Sequence, residues 1–294
     1  MTLTKSFVIF IFLFSLTNLK ANTVKQYFIK ISPNQNLVNC GKLKVLKTKT
    51  NLEFFVQNQK VDIIEPKEAL QWINDSIAKQ HPDSSKVLFF VHGFWASLPF
   101  AIHRTAKEFE ASYFTDKSTN LVSIVHVFWD ANDISYKIAL RNLRNSTKTF
   151  AQVLNNINNT LNFKTSLMCH SMGNRFLHKT LVEQIVTVSF EHLILMAPDL
   201  DYRKFEEKPS LFTALSKDIN VFYNQKDKTL QMSKGINKIE RLGRLNKSNI
   251  DKNIKFIDCT NLKDIDTLSD SVMKHLYYLT SNTVKKQIAQ ILTN

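Results

Sequence analysis

The stretch TSLMCHSMGNRFLHKTLVEQI, residues 165–185, decides the fold. It opens on a continuous apolar run, passes through a sharp polar turn at His170-Ser171-Met172-Gly173, and continues from Asn174 to Ile185 with helical spacing of its apolar residues. Cys169-His170-Ser171-Met172-Gly173 departs from the G-x-S-x-G elbow only at its first position. In such an elbow the strand and the helix nearly touch, so the residues two before and two after the serine must be small. Cys169 and Gly173 are small enough. The chain has only five glycines, against a usual ~7%, so Gly173 and Gly93 stand where other residues fit the backbone poorly.

The same grammar extends outward. Near-continuous apolar runs occur at VLFFV (87–91), LVSIVHVFW (121–129), HLILMA (192–197), INVFY (219–223) and KFIDC (255–259). Runs of this kind suit strands buried on both faces. Helical stretches lie between them, including one expected from Tyr136 to Leu161, so the alternation predicts a mostly parallel sheet with helices on both faces. Ahead of it, Pro66 starts a helix whose apolar positions are Ala69, Leu70, Trp72, Ile73 and Ile77. Earlier still, YFIKI (27–31), LKVLKT (43–48) and LEFFV (52–56) read as strands of an antiparallel leading edge. No repeat, linker or charge block divides residues 22–294, which are expected to form one domain.

A serine at such a turn needs a base, and a cradle for the oxyanion. One cradle NH belongs to Met172, and the other to a residue just past the VLFFV strand in HGFW, which means Phe94 or Trp95. His92 in that motif is expected to be a structural hydrogen-bonding residue. Chains with this elbow run in the order nucleophile, acid, base. Of eight histidines only His178, His192 and His275 follow Ser171. His178 lies on the helix after the elbow and His192 opens the next strand, which leaves His275. Asp227, just past INVFY, is the favoured acid; Asp199 and Asp201 at the end of the preceding strand are its rivals, with Asp258 and Asp270 more remote.

These landmarks resemble the α/β-hydrolase superfamily, and within it a mostly uncharacterised bacterial branch. VLFFVHGF, VFWD, CHSMGNRFL, LILMAPDLD, VFYNQKDKTLQMS, RLG and the KHLYY histidine match in order over about residues 86–278. The resemblance implies the α/β-hydrolase fold and a Ser171, Asp227, His275 triad with no metal and no cofactor. Two positions depart from it: Cys169 stands where Ala or Gly is usual, and Asp130 where a Pro-containing loop is usual. The expected activity is hydrolysis of a small-molecule or lipid-like carboxylic ester or thioester. The alternative is a non-catalytic binding or envelope-surface protein on the same scaffold.

Composition bounds the rest. Hydrophobic residues make 44% of the 294 and charged residues 22%, an ordinary globular balance. Lys5, the apolar run from Phe7 to Leu16 and Ala21 form a signal-peptide pattern over residues 1–21, so export is expected. The run is shorter than the ~20 residues of a membrane-spanning helix. No cysteine follows it closely enough for lipid anchoring, since the first is Cys40. The formal charge is +14; setting aside Lys5 and Lys20, in a segment without carboxylates, leaves +12. A basic surface can attract anionic surfaces, but no nucleic-acid motif accompanies it and no such partner is expected. Asp199-x-Asp201 is too weak a pattern for a metal site. The pocket walls fall to residues 95–112, 130–145 and 200–217, the last of which reads either as a partial lid or as a connecting helix.

Overall fold

The computed structural model describes residues 25–43, 59–81, 85–94, 99–113, 120–131, 135–245, 250–265 and 268–294. The leader at residues 1–21, the LEFFV segment and Trp95 lie outside the described residues.

Three strands lead: β1 (Lys25–Ile31), β2 (Val38–Leu43) and β3 (Gln59–Ile64). Helix α1 (Pro66–Ala78) follows, with Pro66 in its first turn and Ala69, Leu70, Ile73 and Ile77 buried on one face. The alternating region then runs β4 (Lys86–Val91), α2 (Pro99–Tyr113), β5 (Leu121–Trp129), α3 (Tyr136–Asn145), α4 (Thr147–Thr160), β6 (Lys164–His170) and α5 (Met172–Glu183). It continues through β7 (Leu193–Met196), α6 (Tyr202–Glu207), α7 (Ser210–Thr213), β8 (Ile219–Tyr223), α8 (Lys228–Asn237) and β9 (Ile254–Asp258). Helices α9 (Leu268–Met273), α10 (Tyr277–Thr280) and α11 (Asn282–Thr293) close the chain.

The strands form one nine-stranded sheet in the order β3-β2-β1-β5-β4-β6-β7-β8-β9. Every pairing from β1 to β9 is parallel, while β2 runs antiparallel to both β1 and β3. The fold is therefore the mostly parallel, helix-flanked sheet with antiparallel leading-edge strands that the sequence predicts. Side chains alternate between two cores. Val87, Phe89, Val91, Leu167, Cys169 and Leu195 face one layer of helices, and Leu88, Phe90, Met168, Ile194 and Met196 face the other. Full burial of each such side chain contributes about 1.5–3 kcal/mol, which is why these short runs hold the centre of the sheet.

A strand at Val38–Leu43 has Val38 and Cys40 at its buried positions opposite β1, and the LKVLKT segment beyond Leu43 lies outside the described residues. Two other local expectations are resolved. The helix expected over 136–161 is two helices. Ser146 breaks it, and the polar run from Asn145 to Thr149 supplies the break: the Thr147 hydroxyl donates to the Arg144 carbonyl, so side chain competes with backbone there. Residues 200–217 are a connection and not a lid, since Phe205 and Phe212 are buried in the core with their rings 4.8 Å apart.

Strand order reverses around β4. From β4 the chain crosses to β5 on one side, returns to β6 on the other, and then proceeds outward to β7. The crevice between the carboxyl ends of β4 and β6 is the switch point at which open α/β sheets collect ligands. His92, Gly93 and Phe94 leave one strand there, and Ser171 leaves the other.

Candidate active site

Ser171 sits between β6 and α5 with φ 51° and ψ −119°, a conformation that costs a non-glycine residue about 1–3 kcal/mol. Its neighbours hold it there. The Ser171 NH donates to the Met196 carbonyl at 2.9 Å, and the Ser171 carbonyl accepts from the Asp199 and Asn174 NH groups at 3.1 Å each. The Asn174 amide reaches the carbonyls of Cys169 (2.9 Å), Ser171 (3.2 Å) and Met196 (3.2 Å), pinning the turn to two strands. A Cβ on Gly173 would lie 2.6 Å from the Val91 carbonyl oxygen and 2.8 Å from that of His92. A Cβ on Gly93 would meet the Ser171 Cβ at 2.7 Å. Both glycines are thus forced by the contact of the elbow with the end of β4.

His275 and Asp227 meet this serine. His275 Nδ1 lies 2.7 Å from Asp227 Oδ2, and its Nε2 lies 3.0 Å from Ser171 Oγ. An ionised carboxylate only accepts, so Nδ1 carries the proton and the serine hydroxyl donates to Nε2. Asp227 is fully buried and caps α8, its Oδ1 accepting from the Leu230 NH at 2.8 Å. A helix start favours a negative charge. His275 follows Lys274, which takes a left-handed turn at φ 55°. Asp270 fastens that turn by accepting from the NH groups of His275 (2.8 Å) and Leu276 (2.6 Å). Burial works against the charged form of His275, but Asp227, its hydrogen bond, and the more distant Asp270 and Asp199 outweigh it, so the imidazole titrates above its ordinary value.

Met172 opens α5, so its NH is among those that a helix start leaves without an intrahelical acceptor. Phe94 is one residue beyond the glycine that touches Ser171. These are the two expected oxyanion donors. His92 is buried, and its Nε2 accepts from the Trp129 NH at 3.2 Å; Nδ1 therefore carries the proton and donates to the Gly93 carbonyl at 2.8 Å. Its ring stacks on Trp129, tying β4 to β5 below the site. His178 stacks on Phe212, and His192 pairs with Asp218 Oδ2 at 2.7 Å, so neither approaches Ser171 through a hydrogen bond.

The rival acids are engaged elsewhere. Asp199 Oδ2 accepts from the Tyr136 hydroxyl at 2.8 Å, and its Oδ1 from Ser233 (2.6 Å) and Arg241 (3.4 Å). Asp201 caps α6. Asp258 accepts from the Thr260 NH. The Asp199 cluster is absent from the sequence reading. The Tyr136 hydroxyl also accepts from Arg175 and Asn237 at 3.0 Å each, and the ring meets Phe94 edge-on. Its members come from widely separated positions, and no local spacing announces them. His170, the neighbour of the serine, is also new: burial keeps it neutral, well below its ordinary value, and its Nε2 donates to the His275 carbonyl at 3.4 Å.

Cys169 is buried and burial pushes its thiol well up, which makes it an inert filler in the elbow. Cys40 and Cys259 are also buried and free. Among the described residues no group of three or more His, Cys, Asp or Glu side chains could hold a metal ion. The arrangement thus offers a hydroxyl whose proton can pass to an oriented imidazole.

Solved structures with similar coordinates include a dienelactone hydrolase from Anabaena variabilis, 9% identical, covering 92% of this chain and 96% of that one, with a TM-score of 0.42. Another is MenH from S. aureus, 11% identical over 71% of this chain and 94% of that one, with a TM-score of 0.36. No curated protein matches the sequence. The family described as "Alpha/beta hydrolase of unknown function (DUF900)" matches residues 65–294, from the start of α1 through the elbow to the last helix. With its sheet, switch-point crevice and elbow accounted for, the chain belongs to this α/β-hydrolase family.

Proposed function

We propose that the protein is a serine hydrolase that cleaves a carboxylic ester or thioester through an acyl-enzyme on Ser171. One observation carries this reading: the strained serine at the switch point is linked by hydrogen bonds of 3.0 and 2.7 Å through His275 to the buried Asp227. In the first step Ser171 Oγ bonds to the carbonyl carbon while its proton passes to His275 Nε2. Asp227 fixes the ring and stabilises the imidazolium. The NH groups of Met172 and Phe94 receive the negative charge that develops on the carbonyl oxygen. His275 returns the proton to the departing alcohol or thiol, and water, deprotonated by the same ring, releases the acid.

Turnover of p-nitrophenyl esters of graded chain length by the purified protein tests this. Wild type is expected to hydrolyse at least one chain length, and Ser171→Ala none. A folded wild type with no turnover of any of them would favour the non-catalytic binding scaffold.

A further inference from the structure

Helix α8 is capped by Asp227 and turns its inner face to the site. Leu230 and Ser233 are buried, and Ser233 and Asn237 reach the Tyr136 and Asp199 cluster. Its outer arc divides into two flanks. At about 100° per residue, Met232 and Ile236 fall together, one position before Ser233 and Asn237, and stand 64% and 58% exposed. On the other flank Gln231, Lys234, Gly235 and Lys238 line a surface groove together with Arg244. Lys234 and Arg244 share the single carboxylate of Glu240, and Lys238 adds a third cation, so the groove is net positive.

Among the described residues, the other exposed large apolar side chains sharpen the contrast. Val272, 48% exposed, sits on α9, which packs against α8 and leads into His275. Val182 lies in the last turn of α5, about 16 Å from Ser171 at a helical rise, and Ile185 just past the end of that helix. Single exposed apolar residues are ordinary. An apolar pair one helical turn apart, beside a groove of three cations on a +14 chain, matches a helix that lies on lipid with its apolar flank in the acyl layer and its cations at the phosphates.

We propose that α8 docks the protein on an anionic lipid bilayer, the groove taking headgroup phosphates and Met232 and Ile236 entering the acyl layer. The substrate is then an ester of a membrane lipid, presented beside Ser171. This substrate class rests on the serine-hydrolase reading; the docking itself does not. Co-sedimentation of the full chain with equimolar phosphatidylglycerol and phosphatidylcholine vesicles, against pure phosphatidylcholine, tests it. Wild type is expected to bind the anionic vesicles about tenfold more tightly. Met232→Asp with Ile236→Asp, and separately Lys234→Glu with Lys238→Glu, are expected to weaken that binding about tenfold each. Both variants keep wild-type turnover of a soluble short-chain ester, which reports an intact fold and site. The proposal is overturned if neither vesicle binds, if binding ignores both pairs of substitutions, or if the face proves to be covered by a second copy of the chain. Vesicle binding without turnover or labelling of Ser171 would instead retire the serine-hydrolase reading and leave the docking intact.

Discussion

Replacing Asp227 by Asn separates its role from that of the rival acid Asp199. The change keeps the size of the side chain and its capping bond, since an amide oxygen can still accept from the Leu230 NH now bonded to Asp227 Oδ1 at 2.8 Å. The other end changes character. An amide NH₂ facing His275 Nδ1, where 2.7 Å now separates nitrogen from oxygen, drives the imidazole proton to Nε2. Nε2 then cannot accept from the Ser171 hydroxyl 3.0 Å away, and nothing balances the imidazolium. The wrong tautomer in a comparable triad costs ~10⁴-fold in turnover, which is about 5 kcal/mol of barrier. Asp227→Asn is therefore expected to lower kcat of ester hydrolysis by about four orders of magnitude with thermal unfolding little changed. Asp199→Asn is the control. Its carboxylate bonds Tyr136, Ser233 and Arg241 and leaves the tautomer alone, so it is expected to cost stability and less than about tenfold in kcat. Steady-state kinetics and thermal unfolding of both variants read the difference. A crippled Asp199→Asn beside a near wild-type Asp227→Asn refutes the reasoning.

Further outcomes follow from other contacts. Gly173→Ala places a methyl 2.6 Å from the Val91 carbonyl oxygen, so it should cost about 1–3 kcal/mol of stability and shift the strand end that carries Phe94, lowering turnover; unfolding and turnover both unchanged would contradict the packing. His275 must be neutral to take the serine proton and titrates above its ordinary 6.5, so kcat/KM should fall as pH drops, with a midpoint above 6.5. A midpoint well below that value removes His275 as the base. His126 is buried and held near 3, its Nε2 donating to the Gln26 amide oxygen at 2.7 Å. Below pH 6.5 the unfolded chain binds a proton that the folded chain refuses, so stability present above 6.5 is lost on acidification by about 1 kcal/mol per pH unit until about pH 3. His126→Phe should flatten that loss in denaturant titrations at several pH values, and an unaltered slope would assign it elsewhere.

Much of the fold is legible because burial on both faces writes itself as continuous apolar runs. Lys86–Val91 is buried along its whole length, and the run VLFFV names it. The elbow is legible because a sharp strand-to-helix turn admits few residues, and Gly173 against the end of β4 is that constraint in contact form. His275 was reachable because so few histidines follow Ser171. The break at Ser146 was hidden because the apolar period continues through it, although Asn145-Ser-Thr-Lys-Thr149 carries the cap chemistry in plain sight. The cluster of Tyr136, Arg175, Asp199, Ser233, Asn237 and Arg241 has no sequence signal at all. Its partners are up to 101 positions apart, and only the packed sheet and helices bring them together.

The central claim is that Ser171 Oγ forms a bond to an electrophile with help from His275. Mass spectrometry of the protein after exposure to a fluorophosphonate tests this directly, since the phosphoryl oxygen occupies the place of the developing oxyanion. The account predicts one adduct, on the peptide containing Ser171, absent from Ser171→Ala and formed far more slowly in His275→Ala. An adduct on another residue, or none on a folded wild-type protein, would contradict it.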